Sequence, residues 1–298
     1  MPQSARYPFR SHYADLFGSK IHYIEEGSGR AFLFLHGNPT WSYLWRNVIP
    51  PVAERGRCIA PDLIGFGRSD RPDIGYTFRE HYRYVEGFIE ELQLKDIVLV
   101  GHDWGGVLGF YYALNYRGNV SGIAFMESFP FTLEWRDFPP AFRRTLKLFR
   151  TPELGKFLVM RMNLFVKRAI PAGVYRDLPK SVLRRYREPF PTVKSRYPVY
   201  VFPNELPIQG RVNDTYREIK WMEKMLPDIT CPVLLLTCTP GGIIGKDRAG
   251  WLAERIGDLT IEDIGDGIHY MQEDNPSGIA DAIINWAKKK NLLQAIAK

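Results

Sequence analysis

One stretch, residues 96–106, constrains the fold of this 298-residue chain more than any other. Ile97 to Val100 is a short, β-branched apolar run, typical of a strand buried on both faces of a parallel sheet. It leads into Gly101-His-Asp-Trp-Gly-Gly106, where glycines surround Asp103. The spacing matches a tight strand-to-helix turn, the nucleophile elbow, with Asp in place of Ser. A glycine-rich turn capped by an Asp is the alternative. We predict that Asp103 projects from the carboxyl edge of the sheet, at a helix N-terminus that favours negative charge.

Strand-like and helix-like segments alternate on both sides of this turn. We predict strands at 12–17, 21–25, 31–35, 58–60, 97–100 and 123–126, and helices at 43–52, 82–92 and through 112–116. Such alternation predicts an α/β fold with right-handed crossovers and a mostly parallel, doubly wound sheet.

The alternation stops at residue 129. A stretch rich in Arg, Phe and Pro follows, with helical patterns at 141–150, 152–162 and 181–186 and no convincing strand. The alternation resumes with a helix at 215–225 and a strand at 233–236. We therefore predict a core domain built from residues 1–128 and 214–298, with a helical cap, residues 129–213, inserted into it. A cap over the carboxyl edge of the strands would exclude water from Asp103.

The charge of the chain is concentrated around this predicted cap. The net charge is +7, yet residues 129–230 hold 20 Lys and Arg against 10 Asp and Glu. We interpret this excess as a solvated helix face, with attraction of anions as the alternative. No nucleic-acid-binding module is recognisable, so no nucleic acid partner is expected. Nor is a membrane partner, since no apolar run reaches spanning length and no signal peptide is evident.

The three cysteines, Cys58, Cys231 and Cys238, lie in or beside apolar segments. They predict buried free thiols rather than a disulfide or a metal site, because no second Cys or His pair completes a ligand set. A cytoplasmic location fits this pattern, and a periplasmic one stays open.

An Asp nucleophile needs a base, an acid that orients the base, and donors for developing negative charge. Of the six histidines, only His269 lies in a loop between the last strand and the final helix, where this architecture places its base. Glu127 and Asp247 both follow strands and are candidate orienting acids. We favour Glu127, because it ends its strand directly in a segment expected to be buried, where a carboxylate needs a partner.

Trp104 in the elbow and Asn38 in the turn after the strand at 31–35 supply donors of two kinds. The backbone N–H groups of Trp104 and Asn38 occupy the positions expected of an oxyanion hole. Their side chains add an indole N–H and a carboxamide, which are hydrogen-bond donors without positive charge. Such a pair suits a polarisable monatomic anion leaving from carbon, since each hydrogen bond to a charged group contributes about 1.5–3 kcal/mol.

Motifs spread over nearly the whole chain resemble those of the haloalkane dehalogenases. They are His36-Gly-Asn-Pro-Thr-Trp-Ser-Tyr-Leu-Trp-Arg46, Asp62-Leu-Ile-Gly-Phe-Gly-Arg-Ser-Asp70, Gly101-His-Asp-Trp-Gly-Gly106, Tyr186-Arg-Glu-Pro-Phe190, Phe202-Pro-Asn-Glu-Leu-Pro-Ile208 and His269-Tyr-Met-Gln-Glu-Asp-Asn-Pro276. The resemblance implies an α/β-hydrolase fold and a hydrolase without cofactor or metal. It would convert a halogenated alkane and water to an alcohol, a halide ion and a proton.

The same resemblance implies roles for particular residues. Asp103, His269 and Glu127 would form the catalytic triad, and Asn38 and Trp104 would bind the halide. A mainly apolar substrate pocket would be lined by Phe129, Phe165, Phe202, Pro203, Leu206, Ile243 and Tyr270.

Two departures from the family pattern stand out. Gly242 is smaller than expected in the pocket-lining loop, and Arg211-Val212 replaces the usual acidic residue and Pro. We expect Gly242 to widen an access path, and neither departure to touch the catalytic set.

Three other functions remain as alternatives. An epoxide hydrolase would use paired cap tyrosines, for which Tyr175, Tyr186, Tyr197 and Tyr200 are candidates. A coelenterazine-oxidising luciferase resembles the same catalytic pentad, and a hydrolase-fold receptor would bind ligand without turnover. The preferred halogen, the chain length, the enantiopreference and the oligomeric state are not determined by these motifs.

Overall fold

Strands of a single sheet form the centre of the molecule, for which a computed structural model describes residues 5–210 and 212–293. The strands are β1 His12–Leu16, β2 Ser19–Glu26, β3 Ala31–Leu35, β4 Arg57–Pro61, β5 Ile97–His102, β6 Val120–Met126, β7 Val233–Pro240 and β8 Leu259–Gly267. Their order in the sheet is β1-β2-β4-β3-β5-β6-β7-β8. The β1-β2 and β2-β4 pairs are antiparallel and the others are parallel. The predicted fold class is confirmed.

Helices follow most strands and cover both faces of the sheet. They are α1 Ile49–Ala53, α2 Phe78–Glu91, α3 Trp104–Asn115, α4 Pro140–Phe149, α5 Pro152–Lys156, α6 Leu164–Ala172, α7 Lys180–Arg187, α8 Tyr197–Glu205, α9 Asp214–Met225, α10 Lys246–Ala253, α11 Met271–Asp274 and α12 Pro276–Lys289. No helix in the described part of the chain is both long and apolar enough to cross a bilayer.

The sheet separates two apolar layers, because successive side chains of a strand point to opposite faces. Leu33 and Leu35 of β3 pack in one layer, and Phe32 and Phe34 pack in the other. Every residue of β3 and β5 is buried, as expected of central parallel strands covered on both faces. The elbow after β5 therefore lies at the middle of the sheet's carboxyl edge.

The helix predicted over residues 43–52 is wrong as one element. A 3₁₀ turn, Ser42–Trp45, is separated from the short α1. Pro50 and Pro51 explain the break, because proline lacks the N–H that would continue the first helix but is tolerated in the first turn of a new one.

The inserted segment, residues 129–213, contains α4 to α8 and a π-helical turn, Phe157–Arg161. The predicted helix at 152–162 thus divides into α5 and this turn. Two helices, α6 and α8, were not predicted. The sequence gives no clear signal for α8 because this helix is buried around most of its circumference and contains Pro198 and Pro203, so it lacks an amphipathic pattern.

Candidate active site

The turn between β5 and α3 holds Asp103 in a strained conformation. Its φ is 52° and its ψ is −127°, a region that costs a non-glycine residue about 1–3 kcal/mol. A Cβ atom on Gly101 would lie 2.7 Å from the backbone nitrogen of Gly106, and one on Gly106 would lie 2.7 Å from the Cβ of Ser128. The neighbouring glycines are therefore required by the close approach of strand and helix. The Ser128 hydroxyl donates to the Asp103 carbonyl at 2.7 Å and braces the turn.

The two carboxylate oxygens of Asp103 have different environments. Oδ1 accepts the backbone N–H of Asn38 at 2.8 Å, and the backbone N–H of Trp104 also donates to the carboxylate. Oδ2 lies 3.7 Å from Nε2 of His269, beyond hydrogen-bond length. Burial raises the pKa of Asp103, although His269 and the two N–H donors oppose this shift. Oδ1 is thus fixed by the turn after β3, while Oδ2 is not hydrogen-bonded to His269.

His269 lies between two carboxylates. Its Nδ1 is 3.3 Å from Oε2 of Glu127, on the side opposite Asp103. Burial alone would lower the pKa of His269, but the hydrogen bond to Glu127 and the negative charges of Asp103 and Glu127 outweigh it, so the pKa is raised. This imidazole can accept a proton and hold it between two negative charges.

Glu127 is held by the loop that follows β7. Its Oε2 accepts the N–H groups of Gly242 at 3.0 Å and Ile243 at 2.7 Å, and Oε1 accepts that of Ile244 at 3.4 Å. The residue is 1% exposed and has a φ of 45°. Asp247, the other candidate, is exposed in the first turn of α10. The carboxylate that faces His269 is that of Glu127.

Gly242 has a different role from the one expected, so the prediction that it leaves the catalytic set untouched is wrong. The N–H of Gly242 donates to Glu127. In addition, a Cβ atom at this position would lie 2.7 Å from Oε2 of Glu127 and 3.2 Å from the Cβ of His269. The space left by the missing side chain is occupied by this pair. Of the second departure, Arg211 lies outside the described residues, and Val212 is 62% exposed.

The side chains of Asn38 and Trp104 are buried with little of their donor capacity used. Nδ2 of Asn38 makes only a 3.4 Å contact with the carbonyl of Val199 in α8. No acceptor among the described residues takes the indole N–H of Trp104. Its ring is stacked on Phe202 of α8 at 4.8 Å between centroids and meets Phe129 edge-on at 4.9 Å.

The residues expected to line a pocket lie in two groups. Four contact the site: Phe129 and Phe202 through Trp104, Ile243 through Glu127, and Tyr270, whose hydroxyl donates to the Asn38 carbonyl at 3.3 Å. The contacts of the other three lie within the inserted segment: Phe165 packs on Phe149, and Arg150 donates to the carbonyls of Pro203 and Leu206.

Two buried histidines support the site in ways that the sequence did not indicate. Nε2 of His102 bonds to the carbonyl of His269 at 2.8 Å, and burial holds the pKa of His102 well below its usual value. His81 stacks on Phe202 at 4.4 Å, and burial lowers its pKa to about 3. His102 acts through a hydrogen bond and His81 through ring stacking, in both cases with a residue distant in the sequence, so a single sequence carries no signal for either.

Comparisons with known proteins match this architecture. A family model described as alpha/beta hydrolase fold matches residues 30–275. The chain is 42% identical to a haloalkane dehalogenase of Mesorhizobium japonicum over 274 residues, 91% of this chain and 89% of that protein. It is 39% identical to one of Bradyrhizobium diazoefficiens over 286 residues, 92% of each chain. The crystal structure of the haloalkane dehalogenase DbeA from Bradyrhizobium elkani superimposes with a TM-score of 0.92 at 38% identity, covering 95% of this chain and 99% of that one.

Proposed function

This chain belongs to the haloalkane dehalogenases, hydrolases that act on carbon–halide bonds, and we propose that it works through a covalent ester on Asp103. His269 would be the base, Glu127 its orienting acid, and Asn38 and Trp104 the donors for the halide. The substrates would be a small halogenated alkane and water, and the products an alcohol, a halide ion and a proton.

The observation that carries the proposal is the asymmetry of the Asp103 carboxylate. Oδ1 is held at 2.8 Å by the backbone N–H of Asn38, while Oδ2 has no hydrogen bond to His269 at 3.7 Å. A carboxylate arranged in this way can attack with Oδ2 and keep Oδ1 as the carbonyl oxygen of the resulting ester. That oxygen already occupies the position where negative charge must be stabilised in the second step.

In the first step, Oδ2 forms a bond to carbon as the carbon–halogen bond breaks. The halide leaves with the bonding electron pair and accepts hydrogen bonds from the indole of Trp104 and the amide of Asn38. These groups carry no charge, so they stabilise the leaving anion without a tight ion pair that would retain it. Burial makes each bond stronger than it would be in water.

In the second step, a water molecule adds to Cγ of Asp103 and gives its proton to Nε2 of His269. The negative charge passes to Oδ1, where the N–H groups of Asn38 and Trp104 hold it. The tetrahedral intermediate then collapses as the bond between Cγ and Oδ2 breaks, and Oδ2 takes the proton from His269 and leaves as the hydroxyl oxygen of the alcohol. The Asp103 carboxyl group that remains releases a proton to solvent, which restores the carboxylate. Glu127 stabilises the imidazolium that forms, and loss of one oxyanion donor would slow this step about a hundredfold or more.

Trapping the ester tests this scheme. We expect His269→Phe, mixed with 1-bromobutane, to release one equivalent of bromide and to gain the mass of one butyl group on the peptide that contains Asp103. The same variant carrying Asp103→Asn is the control and should gain no mass. Absence of the butyl adduct from the single variant would overturn the covalent scheme.

The inserted segment would act as a cap over this site. Phe202 and Val199 of α8 contact Trp104 and Asn38 directly, so the segment forms part of the surface around the reacting atoms. Phe129, Phe202, Ile243 and Tyr270 would line the pocket next to the catalytic groups, and Phe165, Pro203 and Leu206 would line it farther out. An apolar lining excludes water until the ester has formed.

Two of the four tyrosines considered for an epoxide hydrolase have hydroxyl groups that are bonded elsewhere. The Tyr186 hydroxyl donates to Glu273, and that of Tyr200 donates to the carbonyl of Pro152 at 3.3 Å. Tyr175 is 54% exposed, and Tyr197 packs edge-on against Tyr76. Halide release from 1,2-dibromoethane, measured against styrene oxide hydrolysis and light emission with coelenterazine, separates dehalogenation from the alternatives, including a receptor without turnover.

Two of the three cysteines are core residues, as predicted, whereas Cys231 is only partly buried. All three are free thiols, Cys58 and Cys238 are buried, and burial raises the pKa of all three. We propose a cytoplasmic location on the grounds of this thiol pattern.

A further inference from the structure

The loop that carries His269 is held by its backbone as well as by Glu127. The N–H of Ile268 donates to Oδ2 of Asp274 at 3.2 Å, and the carbonyl of His269 accepts from His102 at 2.8 Å. The N–H of Tyr270 donates to the carbonyl of Gly173 at 2.7 Å. Gly173 follows α6, so the last of these bonds joins the loop to the inserted segment.

Asp274 makes a second connection to the same part of the inserted segment. Its Oδ1 accepts the backbone N–H groups of Tyr175 at 2.9 Å and Arg176 at 3.3 Å. The residue is 2% exposed, at the end of α11. One buried carboxylate therefore bridges the residue before His269 and residues 175 and 176. Burial raises the pKa of Asp274, and the three N–H donors and Arg176 oppose this shift.

We propose that Asp274 is a positioning residue for the second step. It couples the position of the inserted segment to the position of the His269 imidazole. This inference rests on the covalent scheme proposed above. Asp274 ends α11, the short helix that directly follows the His269 loop. Its hydrogen bonds are to backbone N–H groups and not to the reacting atoms of Asp103 or His269. It acts by fixing the peptide that precedes the imidazole, and hence the distance from Nε2 to Cγ of Asp103.

The two half-reactions depend on this placement to different degrees. Attack by Oδ2 on carbon requires Asp103 and the halide donors, all of which lie on the elbow and on the turn after β3. Deprotonation of water requires Nε2 at a definite place, and a shift of about 1 Å in a reacting group can cost about a hundredfold. Loss of the Asp274 bridge should therefore slow ester hydrolysis much more than ester formation.

Asp274→Asn breaks the bridge selectively. The amide has one oxygen acceptor, and two N–H groups compete for it on the Tyr175 side. Its NH₂ group is then left facing the N–H of Ile268, so the loop is pushed away while the contact with the inserted segment remains.

The test is a rapid-quench single turnover of the full chain with 1-bromobutane, in which bromide and butanol are measured separately. We expect butanol formation to slow about tenfold or more, while bromide formation changes roughly twofold or less. Asp274→Glu, which restores two acceptor oxygens, should recover part of the lost rate. A merely structural role would lower the two rates together, or only the amount of active protein.

Asp137→Asn is the matched control. Asp137 accepts from Arg248 at 2.7 Å and so joins the inserted segment to α10, away from the His269 loop. Its ratio of bromide to butanol rates should equal that of the wild type. If Asp137→Asn also slows butanol formation much more than bromide formation, then any weakening of the inserted segment slows ester hydrolysis. That result would overturn the specific role of Asp274.

A second variant keeps the proposal testable if Asp274→Asn does not fold. A Cβ atom on Gly173 would lie 2.7 Å from the ring of Tyr270, so Gly173→Ala should displace the same loop without changing a charge and give the same split. Equal slowing of both steps in these variants would overturn the positioning role alone. Absence of an Asp103 ester in the wild type would instead overturn the covalent scheme.

Discussion

Two buried histidine–carboxylate pairs in this molecule look alike in composition and differ in geometry. His22 and Asp62 are 2.8 Å apart and their side chains have no exposure. The second nitrogen of His22 bonds to Ser11 at 2.9 Å, and Asp62 also accepts the N–H groups of Ser42 and Arg68. His269 and Glu127 are 3.3 Å apart, Nε2 of His269 is 3.7 Å from Asp103, and the His269 side chain is 17% exposed.

The difference separates a structural pair from the pair that we propose to be reactive. In the His22 pair every ring nitrogen has a close partner, so a proton transfer would break bonds that hold β2 to the loop after β4. Burial opposes ionisation of Asp62, but its bonds to His22 and Arg68 prevail and lower its pKa. In the His269 pair, Nε2 has no hydrogen-bond partner among the residues that the structure describes, so a water molecule can bind beside it. We infer that a ring nitrogen left without a close hydrogen-bond partner beside a nucleophile, rather than burial, distinguishes the proposed catalytic pair.

The largest effect that would test this distinction is expected from Glu127→Gln. The amide places an NH₂ group against donors from Gly242, Ile243 or His269, so the imidazole loses its orienting acceptor. We expect ester hydrolysis to fall about 10²- to 10⁴-fold, with ester formation much less affected. Rapid-quench measurement of halide and alcohol checks this, and an unchanged hydrolysis rate would remove Glu127 from the mechanism.

The structural pair should respond in stability instead. His22→Ala leaves Asp62 buried without its main partner, and removal of one member of a buried pair typically costs about 3–5 kcal/mol. We expect the free energy of unfolding in urea to fall by about that amount. The ratio of halide to alcohol rates in the folded fraction should stay at the wild-type value. If His22→Ala instead slowed ester hydrolysis selectively, the His22–Asp62 pair would also take part in the reaction, and the distinction between the two pairs would be wrong.

Trp104→Phe should produce the opposite kinetic split to Glu127→Gln. The change removes the indole N–H but keeps the backbone N–H and most of the packing on Phe202. One hydrogen bond to an anion contributes about 1.5–3 kcal/mol, which predicts roughly 10- to 150-fold slower halide formation. Trp45→Phe is the control, since the indole nitrogen of Trp45 is buried without a hydrogen-bond partner among the described residues. Equal effects of the two substitutions would exclude a specific halide contact.

The smallest effect concerns the pKa of His269, which the charge of Asp103 helps to raise. Ester formation removes that charge, so we expect the pKa of His269 to be lower in the ester than in the free enzyme. Asp103→Asn mimics the neutral ester, and an NMR titration of His269 should give a lower midpoint in this variant than in the wild type. Hydrolysis is then lost as the pH falls through the lowered pKa, because a protonated imidazole cannot accept a proton. A midpoint equal to or above that of the wild type would contradict this coupling.

Local patterns in the sequence determine the fold class, the elbow and the alternation of strands and helices. Glycines that flank Asp103 and the period of apolar residues act over a few positions, so their physical effect can be read without the rest of the chain. Motifs matched to a family extend the prediction to His269, Asn38 and Trp104 as candidate site residues, because each motif is itself a short segment.

Only the tertiary structure decided which distant groups meet. Glu127 and His269 are 142 positions apart, and a loop of backbone N–H groups after β7 brings the carboxylate to the ring. The same long-range packing assigns the space beside Gly242 to Glu127 and places Asp274 against the inserted segment. It also forms α8 despite its prolines. Such contacts depend on the summed burial of many side chains, whereas the sequence by itself determines only the local turns and periods that bring them within reach.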